Sequence, residues 1–504
     1  MTIQYFTIIF ICLIILLIEK HGRLRTLNKN LCYIVPSLVF LYVLIRAFNL
    51  SFIIDEAMSY DILVNKPYYF KALIFDDNHF YIANNHVLNT LFGYISYYTF
   101  GSSPFSFRIF NVLSFLVYCF FSVQLIKFYS KSRVSTLIGL VFLFLNPFML
   151  EFFSLYRGYG LSLACTVGIL YYFSQYCFSE PKRKFLVLGV LFSILAIYAN
   201  FALLIPVFVT QVFCFIYLNK SVPFLEIPKR KEILIFVLGA ILLIPAVSNI
   251  LILSELKELY FGGETSFIHD TLDSFVEYTF YTKKEFDKLV LLAIIVFLIP
   301  YAFFARSKSK ELFSITIVIV GLGLLPTILN LLLETKFVIE RASLYVVPFL
   351  GLFFMLFYDN SSHQKWVKRV FALLLLFLTV SAVKKTTKSY NFNTTTTWKT
   401  DSNNKDFLKD IFELNDNKDF SVAVFWIFED ATKYYKKLYK LDELKSIKRL
   451  GSNKPIDSGI DYYYIRKSDL KRVTFDYLIL KEYSLSGTVI LVENRNITSE
   501  KDLK

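Results

Sequence analysis

Charge is scarce in this sequence. Asp, Glu, Lys and Arg make up 19% of the 504 residues while 56% are hydrophobic, a balance outside that of soluble domains, and the mean hydropathy is +0.52. Cysteine pairs are missing too: the six cysteines (Cys12, Cys32, Cys119, Cys165, Cys177 and Cys214) lie in or beside apolar runs with no CxxC, so neither a disulfide framework nor a cysteine metal site is implied. The first apolar run, residues 3–18, has no basic residue before it and no small-residue cleavage pattern after it; a retained span is expected there rather than a cleaved signal. The polar C-terminal region has no GxGxxG, P-loop or metal-spacing motif, and no internal repeat stands out. Although the net charge is +14, the lysines and arginines are parcelled into short loops and the tail without a single basic face, which argues against a nucleic-acid partner.

Long apolar runs dominate what is there. Windows of about 16 to 22 apolar residues, the length that crosses a hydrocarbon core, recur roughly twelve times. The expected fold class is therefore an α-helical polytopic membrane protein, with residues 1–383 as the transmembrane domain, 384–400 as a linker and 401–504 as a small α/β domain outside the membrane. Basic clusters recur on alternate loops, which places those loops inside, and the N-terminus, the 51–108 loop and the 254–288 loop outside. Within the run at 136–153, Pro147 should kink the helix or end it early. In the tail, alternating or apolar stretches at 421–427, 475–480 and 488–492 read as strands, and 407–414 and 432–444 as helices.

The polar segment 51–108 is the candidate active-site loop. It carries Asp55 and Glu56, then Asp76, Asp77, His79, Asn84, Asn85 and His86, a costly set to place beside lipid, on amphipathic pieces expected to lie in the interface. Moving a sugar from a lipid phosphate requires a base for the acceptor hydroxyl, cations for the departing phosphate and shelter from water. Asp55 or Glu56 can take the proton, or one of them can hold a divalent cation through oxygen ligands. Arg157 and Arg341 are candidates for bidentate phosphate binding, with Lys336 as a point charge. Asn85, His86 and His79 are candidates for substrate binding or for a metal. Each has a bland alternative: a solvated acidic pair for Asp55-Glu56, an arginine snorkelling to the interface for Arg157, a satisfied polar residue for His86, and a structural ion pair or helix anchor for Arg108. The 254–288 loop is a candidate lid or acceptor site.

Several motifs fit together: Asp55-Glu56 after an early span, Asn84-Asn85-His86-Val87-Leu88-Asn89-Thr90, Gly101-Ser102-Ser103-Pro104, Leu145-Asn146-Pro147-Phe148 and Tyr156-Arg157-Gly158-Tyr159-Gly160. Over residues 50–358 the chain resembles bacterial GT-C glycosyltransferases, more narrowly the group related to protein O-mannosyltransferases and the aminoarabinose transferase of lipid A. The resemblance implies a polyprenyl-phosphate sugar donor and an inverting transfer on the outer face of the cytoplasmic membrane to a glycan, lipid or protein acceptor. It also implies a catalytic carboxylate at Asp55 with Glu56 beside it, and a phosphate-binding arginine matching Glu340-Arg341 ahead of Pro348. Tyr156 and Val87 depart from the residues common at those places. Two rival readings are an O-antigen polymerase or ligase using a lipid pyrophosphate, and a transporter or flippase. The latter would bury polar groups near mid-span, whereas the acids and arginines here collect at span ends.

Overall fold

The structure, a computed structural model, describes residues 25–65, 83–179, 181–221, 227–280, 298–301, 303, 309–361, 366–371, 389–415 and 418–494. The first expected span, most of the ninth and twelfth, and His79 with Asp76 and Asp77 lie outside the described residues. The helices of the first three hundred and sixty residues run in the order α1 (Arg25–Asn49), α2 (Ile54–Asn65), α3 (Val87–Phe100), α4 (Pro104–Tyr129), α5 (Arg133–Phe144), α6 (Pro147–Glu151), α7 (Gly158–Phe178), α8 (Arg183–Ala199), α9 (Leu204–Ser221), α10 (Ile227–Glu255), α11 (Asp273–Phe280), α12 (Lys310–Leu333) and α13 (Val346–Asn360).

Among the described residues, six helices are long and apolar enough to cross a membrane by length and composition: Asn30–Asn49, Pro104–Tyr129, Gly158–Phe178, Lys231–Glu255, Lys310–Leu333 and Glu340–Asn360. Several leave large apolar side chains outside the protein, with Leu242 57%, Ile244 58% and Leu331 76% exposed, an arrangement that water would penalise and lipid would not. The protein is a multi-pass membrane protein. The expected span at 136–153 is broken into α5 and α6, as Pro147 requires: the Asn146 side chain accepts a hydrogen bond from Met149 N at 3.2 Å and Pro147 takes the first helical position, where its missing N–H costs nothing.

The described residues group into two units. The first draws on Met1–Leu44, Phe70–Asn89 and Phe110–Tyr390, and its described residues are mainly helical. The second joins Ile45–Tyr69 and Thr90–Ile109 to Asn391–Lys504, so the polar loop around Asp55 and the C-terminal region fold together. The C-terminal part contains a five-stranded mixed sheet in the order β2-β1-β3-β5-β4, built from β1 (Phe420–Phe425), β2 (Leu444–Leu450), β3 (Tyr462–Arg466), β4 (Tyr477–Tyr483) and β5 (Thr488–Glu493), with helices α14 (Phe407–Leu414) and α15 (Glu429–Tyr439). β1 runs parallel to β2 and β3, and β5 antiparallel to β3 and β4. Ala423, Ile456, Tyr463, Ile465, Val489 and Leu491 form one core on the sheet, while Phe407 of α14 stacks on Tyr464 with ring centres 3.9 Å apart.

The expected linker is not slack over its described part. Buried Arg46 donates to the carbonyls of Asn391 at 3.0 Å and Thr394 at 2.5 Å, fixing the start of the C-terminal segment to the end of α1.

Candidate functional site

Among the described residues, the sequence candidates gather at two places with buried charge, one in each unit. In the second unit the chain leaves α1, passes through Ser51–Ile53 and enters α2, whose first turn contains Asp55 and Glu56. Glu56 is fully buried and bound by the equally buried Arg108 of α4: Nε donates to Oε1 at 2.8 Å and an Nη to Oε2 at 2.5 Å. The Arg108 guanidinium also donates to the carbonyls of Ala47, Leu50 and Ser51 at 2.8 to 2.9 Å. It thereby satisfies carbonyls at the end of α1 that the helix itself leaves open. Glu56 in turn accepts from Ile53 N at 3.1 Å, as a glutamate in the first turn commonly does. Glu56, a candidate base from its position in the sequence, is committed to holding the α1–α2 corner; the corresponding expectation for Arg108, a structural pair, is met. Asp55 sits one residue earlier and is half-buried.

The C-terminal segment closes on this corner within the same unit. Ser51 Oγ donates to the Ser402 carbonyl at 2.6 Å, Phe52 N to the Tyr435 hydroxyl at 2.7 Å, Ile54 N to Asp401 Oδ2 at 2.7 Å and Asn404 Nδ2 to the Phe52 carbonyl at 3.2 Å. The Phe52 ring stacks on Tyr434 at 4.2 Å.

In the first unit, three candidates converge on a residue given no role from sequence, Tyr159. Its hydroxyl accepts from Arg341 Nε at 3.2 Å, the Arg157 guanidinium carbon lies 5.8 Å from its ring centre, and the His86 ring meets it edge-on at 4.8 Å. Arg157 is 1% exposed, so it does not snorkel; it donates to the Asn84 carbonyl at 3.3 Å from the position just before α7, where an irregular stretch follows α6. Burial, and then the positive charges of Arg157 and Arg341, hold the His86 imidazole well below its usual pKa, against a hydrogen bond with the Ala199 backbone. The ring is thus neutral at pH 7, and its Nε2 is buried without a hydrogen-bond partner among the described residues. Asn85 beside it is buried as well. Gly158 is what lets these elements meet: a Cβ there would lie 2.0 Å from the Ala199 carbonyl and 2.7 Å from His86.

Arg341 is shaped by its neighbours. Glu340 has a left-handed φ of +48°, unfavourable for a side chain other than glycine, and is held there by Ser274 Oγ, 2.5 Å from its N–H, and by the Tyr278 hydroxyl, which donates to its Oε1 at 2.9 Å. Arg341 lies 4.6 Å over Phe261 and 3.5 Å from the Glu340 carboxylate. The loop that carries Phe261 is bridged to the same strip of chain, with Gly263 and Phe337 exchanging backbone hydrogen bonds at 2.9 Å. Lys336 is occupied on that bridge, paired with Glu264 at 2.8 Å and donating to the Tyr260 carbonyl at 3.0 Å. The 254–288 loop, as far as it is described, is a docked wall of the arginine cluster.

Two arginines, a tyrosine and a neutral histidine meet here, a set whose chemistry suits a phosphate. Among the described residues no group of three or more His, Cys, Asp or Glu side chains is placed to hold a metal ion.

No protein-family model and no curated protein matches the chain. Solved structures do. ArnT from Cupriavidus metallidurans in its apo state is similar with a TM-score of 0.52 and 9% identity, over 92% of this chain and 98% of that one. The same protein bound to undecaprenyl phosphate is similar with a TM-score of 0.50 and 11% identity, over 91% and 97% of the two chains. At such identity the likeness is one of fold. The fold expected from the resemblance to the aminoarabinose transferase group is borne out at that level.

Proposed function

We propose that the protein is a membrane glycosyltransferase that moves a sugar from a polyprenyl-phosphate carrier to a hydroxyl acceptor on the outer face of the cytoplasmic membrane. The observation that carries this reading is the group of Arg157, Arg341, Tyr159 and neutral His86. Two guanidinium groups gathered around one tyrosine can grip a phosphate through paired, charge-assisted hydrogen bonds, and a lipid-borne phosphate is an anion of that geometry. The neutral imidazole adds a hydrogen-bonding nitrogen without adding a third charge. The solved ArnT structure that contains undecaprenyl phosphate supports a ligand of this class on this fold.

In the reaction so assigned, Asp55 takes the proton of the acceptor hydroxyl as its oxygen attacks the anomeric carbon. The bond from that carbon to the phosphate oxygen breaks on the opposite side, its electron pair leaving with the polyprenyl phosphate, and the anomeric configuration inverts. Arg157 and Arg341 stabilise the charge that develops on the departing phosphate. Glu56 and Arg108 act at one remove by fixing the helix that presents Asp55. Lys336, tied to Glu264, shapes the loop beside Arg341.

Binding of the leaving group tests the phosphate site without knowledge of the sugar. Native mass spectrometry of the purified protein titrated with undecaprenyl phosphate is expected to show one tightly held lipid. Arg341→Ala should weaken it by about 10- to 100-fold, as loss of a charge-assisted pair worth roughly 1.5 to 3 kcal/mol implies. Retention of wild-type affinity by Arg341→Ala and by Arg157→Ala alike would remove the phosphate from this cluster.

A further inference from the structure

One buried acid has no part in the chemistry so far. Asp401 lies in a short 3₁₀ turn, Lys399–Asn403, at the start of the C-terminal region, and is 1% exposed. A helix needs acceptors for its first amide groups, and these usually come from a polar side chain just before it. The residue before α2 is Ile53, which has none. The acceptor is supplied by Asp401, whose Oδ2 takes the Ile54 N–H at 2.7 Å from 347 positions further along the chain.

The contact is the centre of a clamp rather than a stray bond. On one side of it Ser51 Oγ reaches the Ser402 carbonyl at 2.6 Å, and on the other Asn404 holds the Phe52 carbonyl at 3.2 Å. Lys405 Nζ donates to the Asn49 carbonyl at 2.5 Å. Residues 49–54, the corner that delivers Asp55, are thus pinned along their length by the 401–405 segment. Glu56 and Arg108 brace the same corner from within.

We infer that Asp401 is a positioning residue for the transfer: reaching in from the C-terminal region, it seats the first turn of α2, the turn that carries Asp55. The inference rests on Asp55 being the base. Its electrostatics agree with the geometry. Burial first, and then the negative charges of Asp55 and Glu56, push the Asp401 carboxyl up to about 8, against the hydrogen bonds from Ile54 and Thr400. The ionisable groups that face it are Asp55 and Glu56 from α2, Arg108 through its pair with Glu56, and Tyr464 from β3. At neutral pH Asp401 keeps its proton. As pH rises through 8, Asp401 ionises and a new negative charge arrives in the corner it seats.

The test uses the full-length protein and two substitutions. Asp401→Asn preserves an acceptor oxygen for Ile54 N and removes the ionisation; Asp401→Ala removes both. Turnover is followed as release of undecaprenyl phosphate from the lipid-linked sugars of a native-membrane extract, and hydrogen exchange is followed over residues 50–62. Asp401→Ala is expected to lower kcat about 10- to 100-fold, the range for a displaced catalytic group, with KM for the donor little changed and faster exchange at the start of α2. Asp401→Asn is expected to restore both at pH 7 and to erase the inflection near pH 8 in the wild-type profile. Wild-type kcat and exchange in Asp401→Ala, or a persistent inflection near pH 8 in Asp401→Asn, would overturn the inference. Should Asp55→Asn itself turn over normally, the base assignment fails instead, and the exchange measurement still decides whether Asp401 seats α2.

Discussion

Asp55→Asn is expected to lower kcat by about 10²- to 10⁴-fold, the contribution of a positioned general base, while the protein inserts, purifies and melts like the wild type. The structural side of this expectation follows from where Asp55 sits. It is half-buried in the first turn of α2, where asparagine keeps the size of the side chain and gives up a charge–dipole interaction worth about 0.3 to 1 kcal/mol. The fold of the corner depends instead on Glu56, Arg108 and Asp401. Activity and stability therefore separate at this residue. Turnover by Asp55→Asn within a few-fold of wild type, measured with membrane-extracted donor, would assign the base elsewhere.

The opposite separation is expected at Arg108. Arg108→Ala leaves the Glu56 carboxylate buried without its counter-charge and strips the donor from the carbonyls of Ala47, Leu50 and Ser51. Breaking a buried pair by removing one member costs about 3 to 5 kcal/mol, and the open carbonyls add to that. The variant should unfold at markedly lower temperature in detergent or fail to accumulate. An ordinary buried pair can be replaced on both sides at little cost. Here the double substitution Glu56→Leu with Arg108→Leu should recover only part of the loss, because the end of α1 remains uncapped. Full recovery of the wild-type melting temperature would show that Arg108 serves Glu56 alone.

Much of this was readable from the sequence where one residue type has one dominant use. The Asn146-Pro147 break in the 136–153 run is an example: Pro147 cannot continue a helix but starts one well, and α6 begins on it. Helix α14 falls on Phe407–Leu414 as its periodicity indicates, and β1 and β5 follow from apolar runs. Strand β2 was not legible, since Leu444–Leu450 buries only its ends firmly and shows polar residues between; its pairing with β1 supplies what its side chains do not.

In the candidate site, the arginines were legible and their common partner was not. Arg157, Arg341 and His86 stand out as costly charges or polar groups near span ends. Tyr159 is one of 34 tyrosines and is distinguished only by its place in Tyr-Arg-Gly-Tyr-Gly, where Gly158 permits contact with His86 and Ala199. Glu56 and Asp55 are adjacent and equivalent in sequence; only the third dimension gives one of them to Arg108. Asp401 was illegible for a plainer reason. Its contact with Ile54 joins distant parts of the chain, and a lone aspartate at the edge of a polar stretch carries no periodic or motif signal.

Donor chemistry tests the central claim most directly. The purified protein, given a native-membrane lipid extract together with its hydroxyl-bearing glycans and lipids, should release undecaprenyl phosphate in step with sugar transfer. Asp55→Asn and Arg341→Ala should each suppress that release. Release of undecaprenyl pyrophosphate in its place, or sugar transfer that proceeds undiminished in both variants, would contradict the account.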